Sequence, residues 1–269
     1  MDARLAILGA GRMGEALLGG LLRSGWTRPD QVRCTVRTSD RARILTETYG
    51  VRADTDSAAA TAESDVLILA VKPQNMRTLL EEIAPKVHPG HTVISVAAGV
   101  PTAKIEGALP DGVAVVRVMS NVPVQVDEAM SAAAPGRHAG PEHLATADAV
   151  LGHVGKVVHL AEEHLDAVTA LSGSGPAYFF LLAEAMIDAG ILLGLSRDVA
   201  TELIIQTMVG SAKMLRDSGR HPVELREMVT SPGGTTIAAI RVLEEERVRA
   251  AFLNAIEAAQ HRSTELAGG

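Results

Sequence analysis

Short β-branched, apolar runs alternate with amphipathic helical stretches through the first half of this chain, and then the alternation stops. Leu5 to Leu8, Val32 to Val36, Val66 to Val71, Val93 to Val96 and Val113 to Val118 read as strands. Between them, Met13 to Arg23, Arg41 to Tyr49, Asn75 to Val87 and Thr102 to Leu109 read as helices. This spacing predicts a parallel sheet with helices on both faces. The patch Pro135-Gly136-Arg137-His138-Ala139-Gly140-Pro141 reads as a surface turn before one more helix and the strand-like Lys156 to Leu160. From about Glu162 only helical patterns remain: Ala177 to Leu193, Arg197 to Ser218, Val223 to Val229, Thr235 to Glu246 and Val248 to Leu266. The expected fold class is therefore α/β, with a parallel-sheet domain over residues 1–161 and an all-helical domain over 162–269.

Composition narrows the partners. The chain has 269 residues and a formal net charge of −7, which argues against phosphate-backbone binding as its main task, since that needs a basic face, and nucleic acid is not expected. Cys34 is the single cysteine, so no intrachain disulfide can form, and the start lacks a signal-peptide pattern; a cytoplasmic location is expected. The longest apolar stretch, Ala177 to Leu195, carries Glu184 and Asp188, which predicts a buried helix rather than a membrane span. The first two helices of the second half carry more apolar surface than a thin bundle would bury. A homodimer that interleaves them is expected, with a larger ring of dimers left open.

Gly9-Ala10-Gly11-Arg12-Met13-Gly14 follows the first strand and opens the first helix, which is the context that makes a G-x-G-x-x-G string a dinucleotide turn. The sheet domain is thus read as Rossmann-type. At the end of the second strand, where an NAD site usually offers an acid, the chain places Arg37, Thr38 and Ser39. A guanidinium and two hydroxyls suit a 2′-phosphate, so NADPH is the expected cofactor; Asp40 nearby keeps NADH as the alternative. Arg41 and Arg43 are read as helix charges. Val71, Lys72 and Pro73 close the next strand at the carboxyl edge, where Lys72 could face the cofactor or stand in water. Asn121 ends the last strong strand on the same edge, where its amide could bond the nicotinamide or hold the loop in shape.

Ser231-Pro232-Gly233-Gly234-Thr235-Thr236 precedes the apolar helical run from Ile237. It places hydroxyls and free N–H groups at a helix N-terminus, a site for a small carboxylate or phosphate. The scattered histidines His138, His143, His153, His159, His164, His221 and His261 show no paired ligand spacing, and no metal is expected.

Taken together, these segments resemble the pyrroline-5-carboxylate reductase family. The resemblance rests on Gly9 to Gly14 with Gly19-Gly20, on Ala70-Val71-Lys72-Pro73, on Ser95-Val96-Ala97-Ala98-Gly99-Val100, on Ser172-Gly173-Ser174-Gly175-Pro176-Ala177-Tyr178, on Gly210 to Met214, and above all on Val229 to Thr236. One departure stands out: the family usually reads Pro-Asn-Thr-Pro where this chain has Ser120-Asn121-Val122-Pro123. The resemblance implies hydride transfer to the C=N carbon of L-1-pyrroline-5-carboxylate, giving L-proline. It further implies that Ser231, Gly233, Gly234 and Thr235 hold the substrate carboxylate and that Thr236 stands beside the ring nitrogen as the catalytic hydroxyl. A hydroxyacid dehydrogenase of similar layout would need a lysine acid supported by asparagine, and after residue 156 only Lys213 and Asn254 are available. A nucleotide-sensing relative without chemistry predicts a damaged 231–236 loop, which here is intact.

Overall fold

The computed structural model describes residues 3–267. An eight-stranded sheet has the order β3-β2-β1-β4-β5-β6-β7-β8. Its strands are β1 Leu5–Leu8, β2 Val32–Thr35, β3 Arg52–Asp54, β4 Val66–Leu69, β5 Thr92–Ser95, β6 Ala114–Met119, β7 Ala129–Pro135 and β8 Gly155–His159. All neighbours are parallel except β6 and β7. The connecting helices are α1 Arg12–Arg23, α2 Ser39–Tyr49, α3 Ser57–Ala62, α4 Met76–Ile83, α5 Thr102–Glu106 and α6 Pro141–Leu151.

The two-residue period of the strands sorts the core into two layers. Leu5, Ile7, Val66, Ile68, Val116 and Val118 face α1, α2 and α6, while Ala6, Leu8, Leu67, Leu69, Val93 and Val115 face α3, α4 and α5. Burial on both faces is why these strands read as continuous apolar runs.

Three elements depart from the expectation: β3, α3 and β7. Ala129–Pro135 is rich in alanine, a helix former, yet it is a strand because its backbone pairs with β6 on one side and β8 on the other. β3 gains its place through Asp54, which accepts hydrogen bonds from Arg33 on β2 at 2.7 and 3.0 Å.

Beyond β8 the chain is helical: α7 Leu165–Val168, a wide turn over Thr169–Gly173, α8 Gly175–Leu192, α9 Arg197–Asp217, α10 Pro222–Met228, α11 Thr235–Glu245 and α12 Val248–Ala267. The chain forms two compact units, residues 175–258 being one, and the sheet with the segment to Ser174 and the chain from Ala259 onward the other. In the sheet unit the last helix is tied down by Ser263, whose hydroxyl donates to Asp166 at 2.7 Å.

In the helical unit α8 and α9 approach closely where Gly190 meets Ala200, whose Cβ would lie 2.8 Å from a side chain added at Gly190. Burial elsewhere is sparse, and here the expectation of a buried α8 is corrected: Phe179, Phe180 and Leu181 are 62, 66 and 67% exposed in the single chain. The helix is apolar around its whole circumference, so packing against α9 covers only part of it. By length and composition alone, Glu162–Leu192 is also long and apolar enough to cross a membrane, although Glu184 and Asp188 lie within it.

Candidate active site

The turn from β1 into α1 uses its glycines in different ways. Gly9 has φ +87°, and a Cβ there would stand 2.4 Å from Val71 Cγ1 and 2.9 Å from Val71 N, so only glycine lets the turn pass under β4. The turn is held by the N–H groups of Gly9 and Ala10, both donating to Thr35 O at the end of β2. A Cβ on Gly14 would stand 3.0 Å from Ile7 Cγ2 and 3.2 Å from Ala70 Cβ, so glycine here lets the helix lie close to the sheet. Gly11 is the N-cap of α1 without a side-chain cap, and nothing but Gly9 O lies near its face. The first N–H groups of α1, from exposed Arg12 and half-buried Met13 onward, therefore remain open to an anion.

Ion pairing sorts the cations around this turn. Arg41 is bound to Glu15 on α1, and Arg43 to Glu47 one helical turn on. Arg37 is exposed and carries no hydrogen bond or ion pair among the described residues. Thr38 caps α2, its hydroxyl accepting from Arg41 N at 3.4 Å, and Ser39 begins that helix in the open with Asp40 beside it. After β4, Val71 is half-buried against Gly9, whereas Lys72 and Pro73 are exposed and Lys72 has no charged partner among the described residues. All of these positions lie along the carboxyl ends of β1, β2 and β4.

The end of β6 is tied down more tightly. Asn121 Nδ2 donates to Ser172 O at 3.0 Å and its Oδ1 accepts from Met130 N at 2.9 Å, so the buried amide holds the loop in shape. Ser120 pairs with the buried Ser131 hydroxyl at 3.0 Å, while Val122 is 53% exposed.

A further node on this edge had no motif to announce it. Burial pushes the Glu162 carboxyl up, but hydrogen bonds from Thr102 and Arg117 together with the Arg117 charge outweigh burial and hold it below the ordinary carboxylate value. Its partner Arg117 is only 7% exposed. Elsewhere in the sheet, burial raises the Cys34 thiol to about 12, which removes it from nucleophilic chemistry at neutral pH. Among the described residues no group of three or more His, Cys, Asp or Glu side chains is arranged to hold a metal ion.

In the helical unit, Gly233 has φ +67°, and Gly234 is the N-cap of α11 without a side-chain cap. A Cβ on Gly234 would meet Ser231 Oγ at 2.3 Å, so that hydroxyl lies directly over the helix start. One expectation is corrected here. Gly234 N–H donates to Ser231 O at 3.1 Å, closing the turn, so it is not a free donor for a carboxylate. The first bond within the helix is Ala238 N–H to Gly234 O, which leaves Thr235, Thr236 and Ile237 to present theirs. Ser231 and Thr235 are exposed, and Thr236 is half-buried. A helix N-terminus with open donors beside hydroxyls has the chemistry to accept a small anion.

A dinucleotide turn on a mostly parallel sheet, followed by a helical region, defines an NAD(P)-dependent oxidoreductase of Rossmann-like fold. Residues 4–99 match the family described as NADP oxidoreductase, coenzyme F420-dependent, and residues 162–266 match pyrroline-5-carboxylate reductase dimerisation. The pyrroline-5-carboxylate reductase of Methanosarcina acetivorans is 45% identical over 98% of both chains. Among solved structures, that of a pyrroline-5-carboxylate reductase from Coxiella burnetii superposes with a TM-score of 0.93 at 34% identity, covering 99% of each chain. The Plasmodium falciparum pyrroline carboxylate reductase with NADP bound gives a TM-score of 0.88 at 26% identity, covering 98% of each. The chain belongs to the pyrroline-5-carboxylate reductase family.

Proposed function

We propose that the protein reduces the C=N bond of L-1-pyrroline-5-carboxylate to give L-proline, with NADPH as the cofactor and NADH as the alternative. The observation that carries this reading is the uncapped start of α11, where Ser231 overlies Gly234 and the Thr235 and Thr236 N–H groups stay open. A substrate carboxylate fits those donors. Gly233 and Gly234 leave the approach free of side chains, and the Thr236 hydroxyl is the group we assign to the ring nitrogen.

When bound, a reduced nicotinamide supplies the hydride. The open N–H groups of Arg12, Met13 and Gly14 suit its pyrophosphate, while Gly11 spends its N–H on Gly9 O at 2.7 Å and leaves the approach free of a side chain, and Gly9 shapes the turn. Arg37, with Thr38 and Ser39, suits a 2′-phosphate, because it is the guanidinium that neighbouring carboxylates leave uncommitted while Arg41 and Arg43 are paired. Lys72 adds a free positive charge on the same edge, with Val71 and Pro73 shaping the strand end. Asn121 we assign to holding the loop beneath the nicotinamide rather than to touching it, since its amide already serves two backbone groups. A cyclic imine protonates readily, so catalysis reduces to orientation and hydrogen bonding at nitrogen.

We assign the functional division to the point after residue 161; the dimerisation match over residues 162–266 supports it. The exposed apolar faces of α8 and α9 support a homodimer, and we assign it to the cytoplasm without a membrane or nucleic-acid partner; a ring of dimers is the larger assembly to look for by light scattering. The test is oxidation of NADPH and of NADH by the purified protein with L-1-pyrroline-5-carboxylate, with proline identified as the product. Turnover that favours NADPH is expected; binding of dinucleotide without turnover would sink the substrate assignment.

A further inference from the structure

Glu162 joins segments that lie far apart in sequence. Its Oε1 accepts from Thr102 N–H at 2.8 Å and from Arg117 Nη1 at 2.9 Å, and its Oε2 accepts from the Thr102 hydroxyl at 2.5 Å. Thr102 opens α5, whose N-cap is Pro101, a residue without a side-chain acceptor. The carboxylate sixty residues further on therefore supplies the cap that the local sequence lacks. Arg117 lies on β6 opposite Ser95, the last residue of β5.

One half-buried carboxylate thus holds two connections together. Through Thr102 it fixes the far end of the 96–101 loop that leaves β5, and through Arg117 it fixes the strand that delivers Ser120, Asn121 and the 122–126 loop. Both connections stand at the carboxyl ends of neighbouring strands, outside which ligands of open α/β sheets bind. The adenine side of the edge, at β1 and β2, has its own supports in Thr35 and the Arg41–Glu15 pair.

We infer that Glu162 is a positioning residue for the nicotinamide end of the cofactor: acting through Thr102 and Arg117, it holds the loops after β5 and β6 in one fixed relation. It touches neither cofactor nor substrate. This rests on the dinucleotide reading above. An ion pair that served stability alone would loosen both ends of the cofactor equally, or neither. A positioning role separates them.

The experiment compares the full-length protein with Glu162→Gln, Thr102→Val and Thr102→Ser. Affinities for NADPH and for 2′,5′-ADP, which carries only the adenine end, are titrated alongside kcat and KM. Glutamine keeps the size but turns an NH2 group against the N–H donors of Thr102 or Arg117. Glu162→Gln is expected to keep 2′,5′-ADP affinity within about twofold while NADPH affinity and kcat each fall on the order of tenfold, the scale of a small misplacement of reacting groups. Thr102→Val, which removes one donor, should move the same quantities less, and Thr102→Ser, which returns the hydroxyl, should restore them. If Glu162→Gln does not fold, the Thr102 pair decides the question. Unchanged NADPH affinity and kcat, or equal weakening of NADPH and 2′,5′-ADP, would overturn the inference. Wild-type protein that binds NADPH but forms no proline would refute the substrate assignment while leaving the two-ligand comparison intact; wild-type protein that binds neither ligand would refute the cofactor reading and this inference with it.

Discussion

The sheet unit and the helical unit carry similar apolar side chains but bury them in opposite degrees. Every residue of β1, β2 and β4 is buried, because each crossover brings a helix back over the strand it has left. In α8 only Gly175 is buried, and on α9 only Ala200. Leu203 and Ile205 on α9 are 53 and 52% exposed. A strand between two helical layers is covered by its own chain, whereas successive helices without a sheet cover only part of one another. Apolar content therefore says that a segment must be buried, and connectivity says whether one chain can do it.

The largest effect should come from placing charge on the uncovered side. Phe180→Asp is expected to yield a monomer by sizing in dilute solution and to abolish proline formation; a charged variant that keeps the wild-type mass and activity would break the contrast between the units. In the sheet unit, Leu67→Ala should lower unfolding stability by about 2–5 kcal/mol at any protein concentration, the cost of truncating a fully buried leucine. Phe180→Ala should instead make the melting temperature more dependent on concentration. The anion sites sharpen the comparison at the level of chemistry. Thr236→Ala in the helical unit should lower kcat by about 10²-fold with little change in KM, the scale of losing one preorganised donor; a surviving kcat would limit the hydroxyl to binding. Arg37→Asp in the sheet unit should weaken NADPH by about 10- to 100-fold while leaving NADH turnover nearly intact, as expected for loss of a charge-assisted contact.

The smallest effect is a dependence on acid. The Glu162 carboxyl sits below its ordinary value of 4.5 in the folded protein. Its stabilising contribution is thus present above that value and is lost as pH falls through the folded one. The melting-temperature gap between wild type and Glu162→Gln should close as the solution is acidified through this window.

Much of the architecture was legible from local pattern. The run Leu5 to Leu8 followed by Gly9 to Gly14 announces a strand, a turn and a helix, because the glycines answer constraints of the backbone within a few residues. The helices of the second half were likewise readable to within a few residues at their ends. Ala129–Pro135 was not, since alanine favours a helix and only pairing with β6 and β8 makes it a strand. Sequence spacing also could not separate the two roles open to Asn121, whose partners Met130 and Ser172 are met only through folding.

By itself the sequence determined the alternation of strands and helices, the place where it ends, the glycine turn and the hydroxyl-rich loop before α11. These depend on side-chain periodicity and on backbone freedom within a few residues. Only the tertiary structure decided that Arg41 is committed to Glu15 while Arg37 stays open, that Gly234 spends its N–H on Ser231, and that Glu162 caps a helix sixty residues away. Each depends on a distance between groups, and local chemistry does not encode which distant partner the fold will bring within hydrogen-bonding reach.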